Sequence, residues 1–215
     1  MITLKNTELQ HVTPESVGVK SSAIKAFVDE INSKKLGLQS FTMVRHDKVF
    51  AQGFWKPYAA DIPHVLYSMS KSVTSTAVGF AVDEGLISLD DKVYKFFPEY
   101  FAAKLPINKA LTVRMLLTMR SDKFITVFDE KGGKDWIKQF FDAGYMMPPN
   151  TKFNYISENT FMLSAIVSKV TGMSVADYLY PRMFAPLGIE KPFWETDGKG
   201  NNAGGWGLYM KEEGL

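Results

Sequence analysis

The chain has 215 residues, 46% of them hydrophobic, enough for a sizeable core in one large domain or two small ones. Its 25 basic and 23 acidic residues leave a formal net charge of +2 with no long run of either sign, so it has no electrostatic footprint for nucleic acid or an anionic membrane. It has no cysteine, which excludes disulfides and thiolate metal sites.

Residues 1–20 read as a polar lead-in with a turn at Thr13-Pro14. They lack an apolar signal core, and no later stretch reaches membrane-spanning length, so a cytoplasmic location is expected. Ser21 or Ser22 is a good N-cap for a helix whose stripe is Ile24, Phe27, Val28 and Ile31, the spacing of a helix lying on a core. Gly37 closes that segment. Phe41 to Val44 and Val49 to Trp55 are β-rich runs around Arg45-His46-Asp47-Lys48, a hairpin signal. Lys56 to His64, with Pro57 and Pro63, is a loop.

Val65 to Gly85 (VLYSMSKSVTSTAVGFAVDEG) predicts one buried helix. Its residues are apolar or small all round, and Gly85 is a suitable C′ residue. Ser68 falls in the first turn and Lys71 three residues later on the same face. A hydroxyl beside an amine is what acyl transfer needs: a nucleophile and a group to take its proton. Burial and a neighbouring cation can make the neutral amine accessible, and helix-start N–H groups lie where an oxyanion would form.

Beyond Gly85 the periodicity is mainly helical. Thr112 to Met119, Asp135 to Asp142, Thr160 to Val170 and Ser174 to Phe184 each predict a helix, the last broken by Pro181. The architecture is therefore an α/β beginning followed by a helical insert. Just before the third of these helices, Tyr155 and Ser157 stand at Y-x-S spacing, pointing the same way if that segment is extended. A tyrosine near a lysine ammonium has its phenol pKa lowered; the alternative is an ordinary core tyrosine.

Other signatures are missing. The chain has no G-x-S-x-G, P-loop or H-E-x-x-H motif, and no metal-ligand spacing, so no metal or cofactor is expected. Gly198 to Ala203 imitates a dinucleotide fingerprint without the strand and helix that would frame it. His11, His46 and His64 are scattered. His64, four residues before Ser68, reads as structural.

The order S-M-S-K, L-L-T-M-R-S, P-N-T-K-F-N-Y-I-S, T-G-M-S-V-A-D-Y-L, P-L-G-I and G-G-W-G-L, running from about Thr13 to Met210, resembles the serine β-lactamase-like hydrolases. That group includes class C β-lactamases, DD-peptidases, family VIII esterases and 6-aminohexanoate-dimer hydrolase. The resemblance implies an α+β fold, an antiparallel sheet flanked by helices with an inserted all-helical domain. On it, residues 1–90 form the first part of the α/β domain, 91–195 the helical domain, and 196–215 the start of a return to the first. It also implies that Ser68 is the acylated nucleophile, Lys71 its proton acceptor and Tyr155 a general base or proton relay. Ser157 stands at a substrate-binding position where many relatives have asparagine, and serine there is closer to the esterase and dimer-hydrolase branch. The implied substrate is a small ester, amide or β-lactam.

Two departures stand out. Ser121-Asp122 replaces a frequent Ser-Gly, so that loop is expected to differ. Nothing after Gly207 matches the family's K-T-G or H-x-G strand. Residues 1–215 are therefore expected to be the N-terminal two-thirds of the enzyme, holding only the first hairpin's two strands of the sheet. Alone they are expected to be inactive, or to need a complementary C-terminal chain. A penicillin-binding sensor that acylates without turnover and a non-catalytic module stay open as alternatives.

Overall fold

The computed structural model describes residues 9–100, 106–124 and 135–212. It forms two compact units, Met1–His64 with Met210–Leu215, and Val65–Tyr209.

The first unit contains β1 (Gln10–His11), α1 (Ser21–Ser33), β2 (Ser40–Arg45) and β3 (Lys48–Phe54). β2 and β3 pair antiparallel down to Arg45↔Lys48, leaving His46 and Asp47 as a two-residue turn. Both turn residues have positive φ, 54° and 58°, the conformation whose twist suits a tight hairpin. β1 pairs parallel with β3, so the sheet order is β1–β3–β2. α1 starts at Ser21, but no serine caps it. Glu15 accepts from both the Ser21 N–H (2.8 Å) and its hydroxyl (2.5 Å), and these bonds hold its carboxyl below the usual range. The apolar stripe of α1 is only partly covered. None of its residues is fully buried, and Phe27 meets Phe41 edge-on at 5.3 Å.

The second unit is built on α2 (Ser70–Asp83) and α5 (Ser157–Thr171). α5 is buried continuously from Glu158 to Val167. α2 buries Ser70, Thr74, Ala77, Val78 and Ala81, a single stripe at helical spacing. The expected all-round burial of this helix is corrected: Ser72, Ser75, Thr76 and Gly79 lie on an exposed face. Its C-terminus closes as expected. Gly85 (φ 70°) donates to Val82 O and Leu86 N–H to Ala81 O, the paired bonds of a left-handed helix stop. Glu84 then ties that end to the neighbouring segment, accepting from Tyr178 Oη (3.0 Å) and from both arms of Arg182 (2.6 and 3.2 Å).

Three shorter helices complete the unit: α3 (Val113–Leu117), α4 (Trp136–Asp142) and α6 (Val175–Leu179). Each is capped by the side chain before it, Thr112, Asp135 and Ser174 respectively. Pro181 does not end the last helix outright. The backbone widens into a π-turn over Tyr180–Phe184, in which Ala185 N–H reaches Tyr180 O. The expectation that the hairpin's sheet has only two strands is corrected, because β1 adds a third. β4 (His64–Val65), β5 (Phe193–Trp194) and β6 (Leu208–Met210) form a separate small sheet, in which β5 pairs antiparallel with β6. Among the described residues, no helix is long and apolar enough to cross a membrane.

Candidate active site

Ser68 is not on α2 itself. It sits in a 3-10 turn, Tyr67–Met69, that leads into the helix. The strand His64–Val65 ends at Leu66, whose N–H donates to Leu208 O (2.8 Å) and whose own backbone already turns (φ −87°, ψ −2°). Tyr67 then adopts φ 43°, and its side chain is exposed, as is Ser68. Lys71 follows in the first turn of α2, part-buried, and meets the hydroxyl across the junction.

Lys71 Nζ donates to three oxygens. They are Ser68 Oγ (3.0 Å), Ser157 Oγ (3.1 Å) and the carbonyl of Gly205 (2.7 Å). It also lies 4.9 Å from the centre of the Tyr155 ring. The Tyr155 phenol is held below its ordinary value. The Ser68 hydrogen bond is the main cause, aided by the hydrogen bond and charge of Lys71, while burial opposes both. Ser68, Lys71, Tyr155 and Ser157 are thus brought together.

The route by which Ser157 arrives differs from the expected one. It is the first residue of α5, with Ile156 extended before it, so the helix begins three residues earlier than its apolar pattern suggests. Tyr155 and Ser157 are therefore not strand neighbours on one face. The helix start turns Ser157 towards the same amine.

The third acceptor, Gly205, belongs to the G-G-W-G-L run that carries part of the resemblance, to which no role in the site was assigned. Thr74 Oγ1 donates to Gly204 O (2.9 Å), and Leu208 N–H donates to Ser70 Oγ (3.3 Å), which fastens the loop to α2. Trp206 stacks on Trp136 at 5.5 Å, and its carbonyl accepts from Trp194 Nε1 (2.8 Å). Glycine is required at two successive positions. At Gly204 (φ 69°) a Cβ would stand 2.7 Å from Thr160 O, and at Gly205 it would meet Ser157 O at 3.0 Å. The signal available in sequence was the G-G-W-G run itself.

A second cluster holds the segment that ends in Tyr155. Asp122, 1% exposed, has φ 56°, a conformation aspartate tolerates better than most residues, so it serves where glycine was expected. Its carboxylate accepts from Thr151 N–H (2.9 Å) and Lys152 N–H (3.2 Å). Asn154 is tied on both sides, donating N–H to Met119 O (2.7 Å) and Nδ2 to Lys123 O (2.9 Å). Beside it Lys123 is fully buried between the rings of Phe140 (4.9 Å) and Tyr145 (4.1 Å), with its amine donating to Ala143 O (2.8 Å). Burial lowers that amine to about 7, against a weaker pull upward from Asp142. Burial likewise raises the Tyr145 phenol.

His64 lies in the first unit, buried and stacked on Tyr58 at 4.8 Å. Among the described residues, no group of three or more His, Asp or Glu is arranged to hold a metal ion.

Residues 24–214 match the family model described as Beta-lactamase. Penicillin-binding protein 4 of Amycolatopsis lactamdurans is 30% identical over 182 residues, covering 80% of this chain and 44% of that protein. The 6-aminohexanoate-dimer hydrolase of Paenarthrobacter ureafaciens is 24% identical over 200 residues, covering 83% and 50% respectively. Among solved structures, FmtA from Staphylococcus aureus superposes with a TM-score of 0.72 at 16% identity, over 88% of this chain and 61% of that one. The chain spans about half the length of the curated relatives it matches.

Proposed function

Because this chain belongs to the beta-lactamase family and shares its mixed α+β fold, we propose that the full-length protein is a serine acyl hydrolase acting on a small ester or amide. The observation that carries this reading is the Lys71 amine, 3.0 Å from Ser68 Oγ and 4.9 Å from the Tyr155 ring.

In this mechanism Lys71 acts as the neutral amine: its two N–H groups stay on Ser157 Oγ and the Gly205 carbonyl, and its lone pair takes the proton of Ser68 Oγ as that oxygen attacks the substrate carbonyl carbon. The Oγ–C bond forms, and the bond from carbon to the leaving oxygen or nitrogen breaks. Tyr155, whose phenol gives up its proton more readily than usual, relays the proton from Lys71 to the departing group. Water then attacks the acyl-enzyme, passing one proton back through the same pair, and releases the acid with Ser68 restored. Ser157 and the Gly205 carbonyl hold the amine in line throughout. On this reading a backbone N–H at the turn into α2 is one oxyanion donor. The family resemblance implies a second oxyanion donor on a K/H-x-G strand; nothing after Gly207 matches that motif, and on this reading a complementary C-terminal segment supplies the donor.

Hydrolysis of p-nitrophenyl butyrate by the full-length protein tests this. Steady turnover that disappears in Ser68→Ala supports the hydrolase, and equal turnover in that variant overturns it. A second reading draws on the likeness to a penicillin-binding protein: acylation of Ser68 without release. A stable, stoichiometric penicillin adduct with no ester turnover would favour that sensor.

A further inference from the structure

We propose that Phe153 reads the leaving group of the substrate, favouring an aryl or other bulky apolar alcohol or amine over a small one. The proposal rests on the hydrolase reading and names the chemistry of one side of its site.

Along residues 153–156 burial alternates: Phe153 is exposed, Asn154 partly buried, Tyr155 exposed and Ile156 buried. That is the period of an extended segment, so Phe153 and Tyr155 share a face while Asn154 and Ile156 turn inward. The inward direction is fixed by Asn154 Nδ2 on Lys123 O (2.9 Å) and by Ile156, 2% exposed. The outward direction is fixed by Tyr155, whose ring lies 4.9 Å from Lys71 Nζ and whose phenol is hydrogen-bonded with Ser68. Phe153 therefore stands about 7 Å further along the face that looks onto the nucleophile.

Phe153 is 68% exposed, so its ring is open to a ligand on that face. Tyr155 is the group that delivers a proton to the leaving atom, so the leaving group departs towards Tyr155 and extends over Phe153. An aromatic ring one bond beyond the leaving oxygen would stack there or meet it edge-on. An ethyl group is too short to reach it.

Two butyrate esters test the point. Benzyl and ethyl alcohols have similar acidity, and both esters give the same butyryl-enzyme. Their ratio of kcat/KM therefore isolates leaving-group recognition during acylation. The wild-type protein is expected to favour benzyl butyrate, and Phe153→Ala to lower the benzyl-to-ethyl ratio about three- to tenfold, as loss of one aromatic contact implies. Phe153→Trp, which keeps an aromatic face, should hold the ratio near that of the wild type. An unchanged ratio in Phe153→Ala would overturn the proposal, as would an equal fall for both esters, which indicates a structural role alone. The mass of the wild-type protein keeps this separate from the hydrolase reading. If neither ester is turned over or acylates Ser68 in the wild-type protein, both fail; if Ser68-dependent turnover or acylation occurs and the ratio does not move, only the role of Phe153 fails.

Discussion

Lys71 makes its shortest hydrogen bond, 2.7 Å, to the carbonyl of Gly205 and not to Ser68 at 3.0 Å. A backbone carbonyl 134 residues away therefore aims the amine. Adding a Cβ to Gly205 would bring it within 3.0 Å of Ser157 O and 3.1 Å of Ser157 Cβ, so the loop must move and take the carbonyl with it. Gly205→Ala is expected to slow acylation of Ser68 severalfold, because the crowding asks for a shift of a few tenths of an ångström in the group that aims the amine. Single-turnover labelling rates measure this, and an unchanged rate would remove Gly205 from the account.

Lys71→Ala should lower acylation by orders of magnitude, as expected when a nucleophile and base act as one unit. Ser157→Ala should cost much less, because the amine keeps both Ser68 and Gly205 as acceptors. The two burst rates, compared side by side, check this order. Near-normal acylation in Lys71→Ala would mean that another group is the base.

The lowered Tyr155 phenol gives a pH dependence of known sign. A relay that works through phenolate gains activity as pH rises through the folded pKa, which lies below the usual tyrosine value. The wild-type kcat/KM should therefore climb with an apparent pKa below the ordinary tyrosine value. Tyr155→Phe should flatten that limb and lower the plateau. A pH profile of identical shape in the variant would contradict the relay.

Lys123 links pH to stability. Its folded pKa, about 7, lies below that of an exposed lysine, so between these values the unfolded chain binds the extra proton. Stability contributed by this group must therefore rise as pH increases from about 7 towards 10, with a slope of no more than about 1.4 kcal/mol per pH unit. Lys123→Met keeps the buried stem and removes the titration, so its Tm should be less dependent on pH over that window. Parallel Tm curves for the two proteins would show that Lys123 does not titrate there.

Ser157, where many relatives have asparagine, bears on the substrate. The full-length protein should turn over p-nitrophenyl butyrate with a higher kcat/KM than nitrocefin. A strong preference for nitrocefin would reverse that assignment.

Local features were readable from sequence where the physics is local. The β2–β3 hairpin was legible because both runs are β-rich and a polar tetrapeptide separates them. The helix stop at Gly85 was legible because glycine accepts φ 70° without cost. Ser68 and Lys71 stood out because their spacing alone makes them neighbours. Other features depend on distant partners. The 3-10 turn that precedes α2 is anchored by a bond from Leu66 N–H to Leu208 O, a partner distant in sequence. Gly205 enters the site through bonds to Lys71, and its loop through bonds to Thr74 and Ser70, none of them visible in a pattern of residue types. Asp122 looked like a lost glycine until its carboxylate was seen bonded to the N–H groups of Thr151 and Lys152.

The central claim is that the Ser68 hydroxyl is a nucleophile activated by Lys71. The most direct test is to treat the full-length protein with a fluorophosphonate probe and map the modified peptide by mass spectrometry. The account expects one adduct, on Ser68, absent from Ser68→Ala and formed orders of magnitude more slowly in Lys71→Ala. An adduct on another residue, or labelling that persists undiminished in Ser68→Ala, would contradict it.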